Sequence, residues 1–266
     1  KICIYGIGGC GKSSFAAQAP SPIFIDTEGS LSSLPGLKAF PRARWLKDIN
    51  DALDYLIETK HPYKTLVIDT LDWLERLAIR DCMAMGKVSD FSELKFGKGP
   101  RMLEVRMQEI LDKCDRLNEE KGMIILFLAH RKVVKFEDPK RDNYDTYTLD
   151  LYSGASVDIA NMIFEYVHIL GFVDSKVNLI ETKEEFGSKV IKAKGSSERV
   201  LYLEARPAYL AKSRFNLGES LPFPKENSWQ TLYGAIMTEA KGLAKPVGNL
   251  AAAKTAAEPE KYMEGK

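Results

Sequence analysis

Gly6-Ile7-Gly8-Gly9-Cys10-Gly11-Lys12-Ser13 follows directly on the apolar stretch Ile2-Cys3-Ile4-Tyr5 and leads into Ser14-Phe15-Ala16-Ala17-Gln18. The spacing is GxxxxGK[ST] between a strand pattern and a helix pattern, the phosphate-binding loop of nucleoside triphosphatases. Glycines let the backbone curl so that successive N–H groups point inward at phosphate oxygens. The opening helix adds its positive dipole end, Lys12 reaches the β- and γ-phosphates, and Ser13 can ligate Mg²⁺. A chance match in a chain of this length is on the order of one per cent, so a ligand-free glycine turn is set aside. Gly6, Gly8, Gly9, Cys10, Gly11, Lys12, Ser13 and Ser14 are the expected nucleotide contacts. Lys12 is also counted as catalytic.

Thr65-Leu66-Val67-Ile68-Asp69 is a strand ending in an acid. Placed one helix and one strand after a phosphate loop, it reads as the Walker B element. Asp69 is then expected in the Mg²⁺ shell beside Ser13. Between the two lies Ile23-Phe24-Ile25-Asp26-Thr27-Glu28-Gly29, a second strand ending in acids. A carboxylate at the C-terminal edge of a parallel sheet faces the same crevice as the phosphates. Glu28 and Asp26 are both candidate water-orienting acids, with one of the two capping the next turn.

The remaining apolar runs alternate with helical patterns, as in βα units of a parallel sheet. Strands are expected at Lys1–Gly6, Pro22–Asp26, Thr65–Thr70, Met123–His130 and Phe164–Val173. Helices are expected at Lys12–Ala19, Asp48–Thr59, Leu71–Met85, Pro100–Lys121 and Trp229–Lys241. In the fourth helix Met102, Val105, Ile110, Leu111, Cys114 and Leu117 approximate one apolar face. Lys189–Lys194 and Arg199–Glu204, joined by Gly195-Ser196-Ser197, look like an antiparallel hairpin on the sheet edge. The expected division is a core over 1–241 and a disordered or partner-binding tail over 242–266.

A chain of 266 residues suits one large α/β domain, and its net charge of +1 confines any basic surface to a local patch. The four cysteines, Cys3, Cys10, Cys82 and Cys114, show no CxxC pairing and read as reduced cytosolic thiols. The longest apolar run, Met123 to Ala129, is too short to cross a membrane, so no membrane partner is expected. Lys1 already falls inside the first strand and is not methionine, so preceding residues are expected in the natural protein.

Two long segments mix cations with aromatics. Val88–Pro100 carries Lys95, Phe96 and Lys98, and Arg131–Gly154 carries Arg131, Lys132, Lys135, Phe136, Lys140, Arg141 and Tyr144. Cations suit phosphates and ring faces suit bases, so both are candidate single-stranded DNA contacts; mobile lids are the alternative. In Ala211-Lys212-Ser213-Arg214-Phe215, Lys212 and Arg214 alternate in phase on an extended segment and point to one side.

Together, the phosphate loop, the Asp-Thr-Glu-Gly strand end, the Walker B strand, Leu94-Lys95-Phe96-Gly97-Lys98-Gly99, His130 and Lys212-Ser213-Arg214 resemble the phage-type RecA-like ATPases. That family assists single-strand annealing and recombination. The resemblance spans roughly Lys1 to Tyr233. It implies an α/β RecA-type core, a parallel sheet flanked by helices with strand order 5-1-4-3-2, and C-terminal antiparallel strands. It also implies ATP and Mg²⁺ as cofactors, and Glu28 as the base polarising the attacking water. His130 would read the γ-phosphate; otherwise it is a histidine that ends a buried strand. Lys212 and Arg214 would reach a neighbour's γ-phosphate in a homo-oligomer, ring or filament; otherwise they form a solvated basic strand. The implied partners are single-stranded DNA, further copies of the chain, and a single-strand-binding protein through the tail. The implied location is the cytoplasm, that of the bacterial host if the gene is phage-borne. A P-loop phosphotransferase and a non-hydrolysing nucleotide switch are the competing readings.

Overall fold

Successive side chains of β1 (Ile2–Gly6) face opposite sides of the sheet, and all five residues are buried. A strand with no solvent face belongs inside a parallel sheet covered by helices on both surfaces. The computed structural model describes residues 1–243 except 32, 33, 35, 138–141 and 184–188, with backbone alone at 176–183, 189–197 and 243. In it β1 pairs in parallel with β4 (Ile124–Phe136) on one side and β6 (Ile169–Lys183) on the other. Next to β4 lies β3 (Thr65–Asp69), and next to that β2 (Pro22–Asp26). The parallel order β2-β3-β4-β1-β6 is the one expected. The sheet continues antiparallel through β7 (Lys189–Tyr202) and β9 (Ser220–Pro222), while β5 (Tyr144–Leu149) pairs with β4 and β8 (Lys212–Ser213) with β6.

Alternation divides the core in two. Cys3, Tyr5, Ile25, Ile68, Phe127 and Phe172 share one cluster with α2 (Leu46–Glu58), α3 (Leu71–Gly86), α4 (Lys98–Lys121) and α5 (Ile159–Tyr166). Ile4, Phe24, Val67 and Leu128 pack on the other surface with α1 (Lys12–Ala17) and α6 (Ser228–Leu243). Here Phe15 meets the rings of Phe223 at 5.3 Å and Trp229 at 5.4 Å. Truncating such a buried ring to alanine costs about 3–5 kcal/mol. The short α1, which carries the phosphate loop, is held by that contact.

Several expectations need correction. Strand β4 does not end at His130 but runs on to Phe136 and folds back through β5. The segment expected as a long loop from Arg131 is therefore mostly a β-hairpin. Residues Ile159–Tyr166 are helical, and the following strand begins at Ile169 rather than Phe164. Gly195-Ser196-Ser197 is not a turn: β7 is one strand along β6, with a register shift where Ser175 faces Arg199 and Val177 faces Gly195. Gly and Ser in a strand mark a bulge as readily as a hairpin, and here long-range pairing decided. Val105 is 55% exposed, so the buried face of α4 is carried instead by Leu103, Met107, Ile110, Leu111, Cys114 and Leu117. Helix α6 passes the boundary expected at 241, and the tail from 244 lies outside the described residues.

Candidate functional site

The loop between β1 and α1 turns through Gly9 at φ 76° and Gly11 at φ 96°, left-handed geometry that glycine adopts without strain. Gly11 caps α1, so the helix N-terminus opens straight from the loop. Lys12 is buried, and its Nζ donates to the carbonyl oxygens of Ile7 at 2.9 Å and Gly6 at 3.3 Å. Around it is a cleft of about 260 Å³ whose lining includes Gly8, Gly11, Ser13, Glu28, Asp69 and His130. These come from the C-terminal ends of β1, β2 and β3 and from within β4, the edge at which open α/β sheets bind ligands. Gly9, Lys12 and Ser14 line it as well.

Ser13 Oγ donates to Asp69 Oδ2 at 2.6 Å. Burial pushes the Asp69 carboxyl up to about 6 against the opposing pull of that hydrogen bond, and Glu28 adds to the rise. A hydroxyl and a carboxylate in contact are a hard-oxygen pair suited to Mg²⁺, which otherwise keeps water and phosphate ligands. Among the described residues there is no group of three His, Cys, Asp or Glu able to hold a metal by itself. Ser13 and Asp69 would supply two oxygen ligands to such a metal, the others coming from phosphate and water. When bound, Mg²⁺ would neutralise phosphate charge and fix phosphate orientation.

Thr27 locks the two acid-bearing strand ends together. Its Oγ1 donates to Thr70 O at 2.8 Å and accepts from Thr70 N at 2.7 Å, while its own N–H donates to Asp69 O at 2.9 Å. The flanking acids then differ. Asp26 Oδ1 accepts from Gly29 N at 2.6 Å, tying Asp26 into the turn. Glu28 lines the cleft.

His130 is gripped by the first turn of α3. Asp72 Oδ1 accepts its backbone N–H at 3.0 Å, and Asp72 Oδ2 lies 3.0 Å from ring Nδ1. The hydrogen bond to Asp72 raises the His130 pKa against burial. One turn along, Glu75 accepts from Tyr152 N at 2.7 Å, and burial lifts its carboxyl to about 7. Tyr152 also meets Phe91 edge-on at 6.3 Å. Helix α3 thus touches the cleft through His130 and both cation-rich segments through Tyr152.

The expected DNA residues divide. Lys95, Phe96 and Lys98 are exposed, Phe96 completely, with a left-handed φ of 57° that is uncommon for a bulky residue. Phe136 and Tyr144 face each other across the hairpin at 5.2 Å, with Lys135 exposed beside them. Arg131 is held within the chain, 3.1 Å from Asp174 and 4.0 Å over the Tyr147 ring. Lys132 donates to Leu151 O. Lys140 and Arg141 lie outside the described residues.

Lys212 and Arg214 are far from the cleft of their own chain. Ser213 pairs with Ile169, which is level with Ile2, four residues before Gly6. At strand rise that is roughly 13 Å along the sheet, at its N-terminal edge. Lys212 Nζ and Arg214 Nη2 both donate to Glu165 O, at 3.4 and 3.1 Å, so they do share one side.

Residues not singled out as functional from the sequence are Thr27, Asp72, Glu75 and Arg199. The last comes from β7, and its Nη1 donates to the Cys10 carbonyl at 2.5 Å. A Cβ on Gly11 would collide with that guanidinium.

The family model described as AAA domain matches residues 1–215. An SPbeta prophage-derived uncharacterized protein, YorG, of Bacillus subtilis (strain 168) is 25% identical over 133 residues. That match covers 48% of this chain and 40% of the relative, so the chain spans less than half of that protein's length.

Proposed function

The chain belongs to the AAA domain family of P-loop ATPases, and on that premise we propose a Mg²⁺-dependent ATPase coupled to single-stranded DNA and acting as an oligomer in strand annealing and recombination. The observation that carries the ATPase reading is the convergence of Lys12, Ser13, Asp69, Glu28 and His130 on one cleft. Lys12 and the loop N–H groups hold the phosphates. The Glu28 carboxylate orients and polarises the attacking water, a role supported by its place in the cleft and by Asp26 being spent on the turn. His130 senses the γ-phosphate and passes its presence through Asp72 and α3 to the Tyr152 region.

The DNA reading is supported by exposed Lys95, Phe96 and Lys98, and by Lys135, Phe136 and Tyr144 on the hairpin. Ring faces stack on bases and the lysine ammonium groups donate to phosphate oxygens. The oligomer reading is supported by the distance of Lys212 and Arg214 from their own cleft, which leaves them to act on a neighbour's. The prophage origin of YorG is in keeping with a phage-borne recombination role.

The test is ATP turnover with and without single-stranded DNA, alongside native mass. Turnover stimulated by DNA in a multimer is expected. Turnover indifferent to DNA in a monomer overturns the coupling, and consumption of ATP only with a small acceptor moves the assignment to a phosphotransferase.

A further inference from the structure

The chain holds three tryptophans, and two of them stand on one face among arginines. Trp229 sits in the core at 4% exposure, whereas Trp45, at the start of α2, is 59% exposed. Trp73 is half-buried in the first turn of α3. Trp73, Arg76 and Arg80 are spaced three and four residues apart, so they share one side of that helix. Asp81 and Met85, which meet Arg106 of α4, lie on a different side. The Arg76 guanidinium lies 4.5 Å from the Trp73 ring centre, and that of Arg80 lies 4.5 Å from the Trp45 ring centre. Arg80 Nη1 also donates to Arg44 O at 3.4 Å, which joins the start of α2 to α3. Asp48 fixes that start by accepting from the backbone N–H groups of Arg44 at 2.8 Å and Trp45 at 3.0 Å. Arg42 extends the face towards the phosphate cleft. A Cβ on Gly29, the neighbour of Glu28, would come within 2.6 Å of its guanidinium carbon.

Charge on this face is one-sided. Arg42, Arg44, Arg76 and Arg80 are all exposed. Among the described residues the arginines in ion pairs are others, namely Arg106, Arg116, Arg131 and Arg206. Stacking on a ring holds a guanidinium plane still and leaves its N–H edge for an acceptor from outside. A matching ligand carries repeated negative charge for the guanidinium forks and flat rings for the indoles. Single-stranded nucleic acid has both in alternation. An acidic peptide offers the charge without the rings, and a duplex keeps its bases stacked inside.

We propose that Trp45 and Trp73 with Arg42, Arg44, Arg76 and Arg80 form a surface for single-stranded nucleic acid, separate from the Phe96 segment and the β4-β5 hairpin. Phosphates engage the arginines, bases stack on the open indole of Trp45, and the strand runs to the lip of the cleft at Gly29. The surface stands whether or not the other two segments bind DNA.

The experiment is a tryptophan-fluorescence titration of the full chain with an oligothymidylate and an oligouridylate at several salt concentrations. Stacked bases quench indole emission, so saturable quenching that weakens with salt is expected from at least one strand, and the tighter of the two names the source. Trp45→Phe with Trp73→Phe leaves buried Trp229 as the reporter. The quench should vanish there, while binding followed by anisotropy of a labelled strand stays within about fivefold. Trp45→Ala should weaken binding roughly 5- to 150-fold. Arg44→Gln with Arg76→Gln should flatten the plot of log affinity against log salt by about 1.4, two contacts at about 0.7 each. The quench should persist in the variant with Lys95→Ala, Phe96→Ala, Lys98→Ala, Lys135→Ala and Phe136→Ala.

Binding that leaves indole emission unchanged and is indifferent to the tryptophan and arginine changes overturns this surface while the DNA reading of the other segments stands. Loss of the quench in the five-residue variant overturns it as well. Equal quenching by polyglutamate, with displacement of the oligonucleotide, gives the face to an acidic protein segment instead. A lower native mass in the arginine variant with unchanged oligonucleotide affinity gives it to a contact between copies of the chain, and either result overturns the proposal. A parent protein that binds neither strand overturns both this surface and the DNA reading.

Discussion

Asp72 holds His130 at two points, accepting the backbone N–H with one carboxylate oxygen and facing ring Nδ1 with the other, each at 3.0 Å. Such a bidentate grip fixes both the ring plane and the nitrogen left over, so Nε2 is the atom available to the cleft. It also couples two titrations. Burial pushes Asp72 up, but the hydrogen bonds and charge of His130 outweigh it and hold the carboxyl below its usual range, while His130 is raised.

Replacing Asp72 by Asn should keep the shape and remove the charge. ATP affinity is expected within about threefold of the parent, with most of the DNA stimulation lost, as read by turnover with and without DNA. The sign for stability follows from the two shifts. The raised histidine contributes fully below its unfolded pKa and loses that contribution as pH rises through the folded value. The lowered carboxyl contributes above its unfolded pKa and loses that contribution as pH falls through the folded one. The stability deficit of Asp72→Asn should therefore be largest between roughly pH 4 and 6.5 and shrink on either side. A deficit that grows steadily towards pH 9 contradicts the pairing.

Asp69 behaves in the opposite sense, because its folded pKa is raised to about 6. The native state holds a proton that the unfolded chain has already lost, so stability falls between roughly pH 4 and 6. Asp69→Asn removes that cost and should stabilise the nucleotide-free protein at pH 7.5 by on the order of 2–3 kcal/mol. It should also raise the Mg²⁺ requirement for ATP turnover sharply. In the parent, Mg²⁺-dependent nucleotide binding should weaken as pH drops below 6. Denaturant melts and Mg²⁺ titrations at two pH values check all three outcomes.

The exposed aromatics and lysines make separable predictions for DNA. Phe96→Ala and Phe136→Ala should each cost roughly 1–3 kcal/mol of single-strand affinity without changing its salt dependence. Replacing Lys95, Lys98 and Lys135 together should flatten the plot of log affinity against log salt by about 0.7 per lost contact. Arg131→Ala should chiefly destabilise the fold, since its cation is already paired with Asp174 and stacked on Tyr147. Binding that survives all five of the aromatic and lysine changes places the DNA surface elsewhere.

If Arg214 completes a neighbour's site, Arg214→Ala and Glu28→Gln damage opposite halves of one composite centre. Each alone should bind ATP and turn it over poorly, by about 10³–10⁵-fold for the arginine. Mixing the two should restore part of the activity once subunits exchange. Lys12→Ala mixed with Glu28→Gln should restore none, because both changes lie in the same half. A flat response for the arginine mixtures, with exchange demonstrated, removes the shared-site reading.

The parts of the site written in contiguous residues were legible in the sequence: the phosphate loop, the Walker B strand, and the acid-bearing end of β2. Short apolar runs at β1 and β3, buried throughout, alternate with helical patterns, as strands of a parallel sheet covered on both faces do. What escaped were contacts between distant stretches. Arg199 is 189 residues from Cys10, and nothing local in Glu198-Arg199-Val200 tells it from a surface cation. Gly195-Ser196-Ser197 carries the same composition whether it turns or bulges, and only the partner strand decides. Thr27 and Asp72 have backbone groups of other elements as partners, which no spacing rule reports.

The separation between the cleft at the C-terminal edge of the sheet and Lys212 and Arg214 at its N-terminal edge has a geometric corollary. If Arg214 serves a neighbour, a giving surface and a receiving surface at opposite ends of the sheet do not meet in one self-complementary patch, so the contact is head-to-tail. Subunits joined in this way all point in one direction. An open row has one complete centre fewer than it has members, with an idle centre at one end, and a closed ring has none idle. Specific activity should therefore climb with assembly length in a row, and stay level with subunit number in rings.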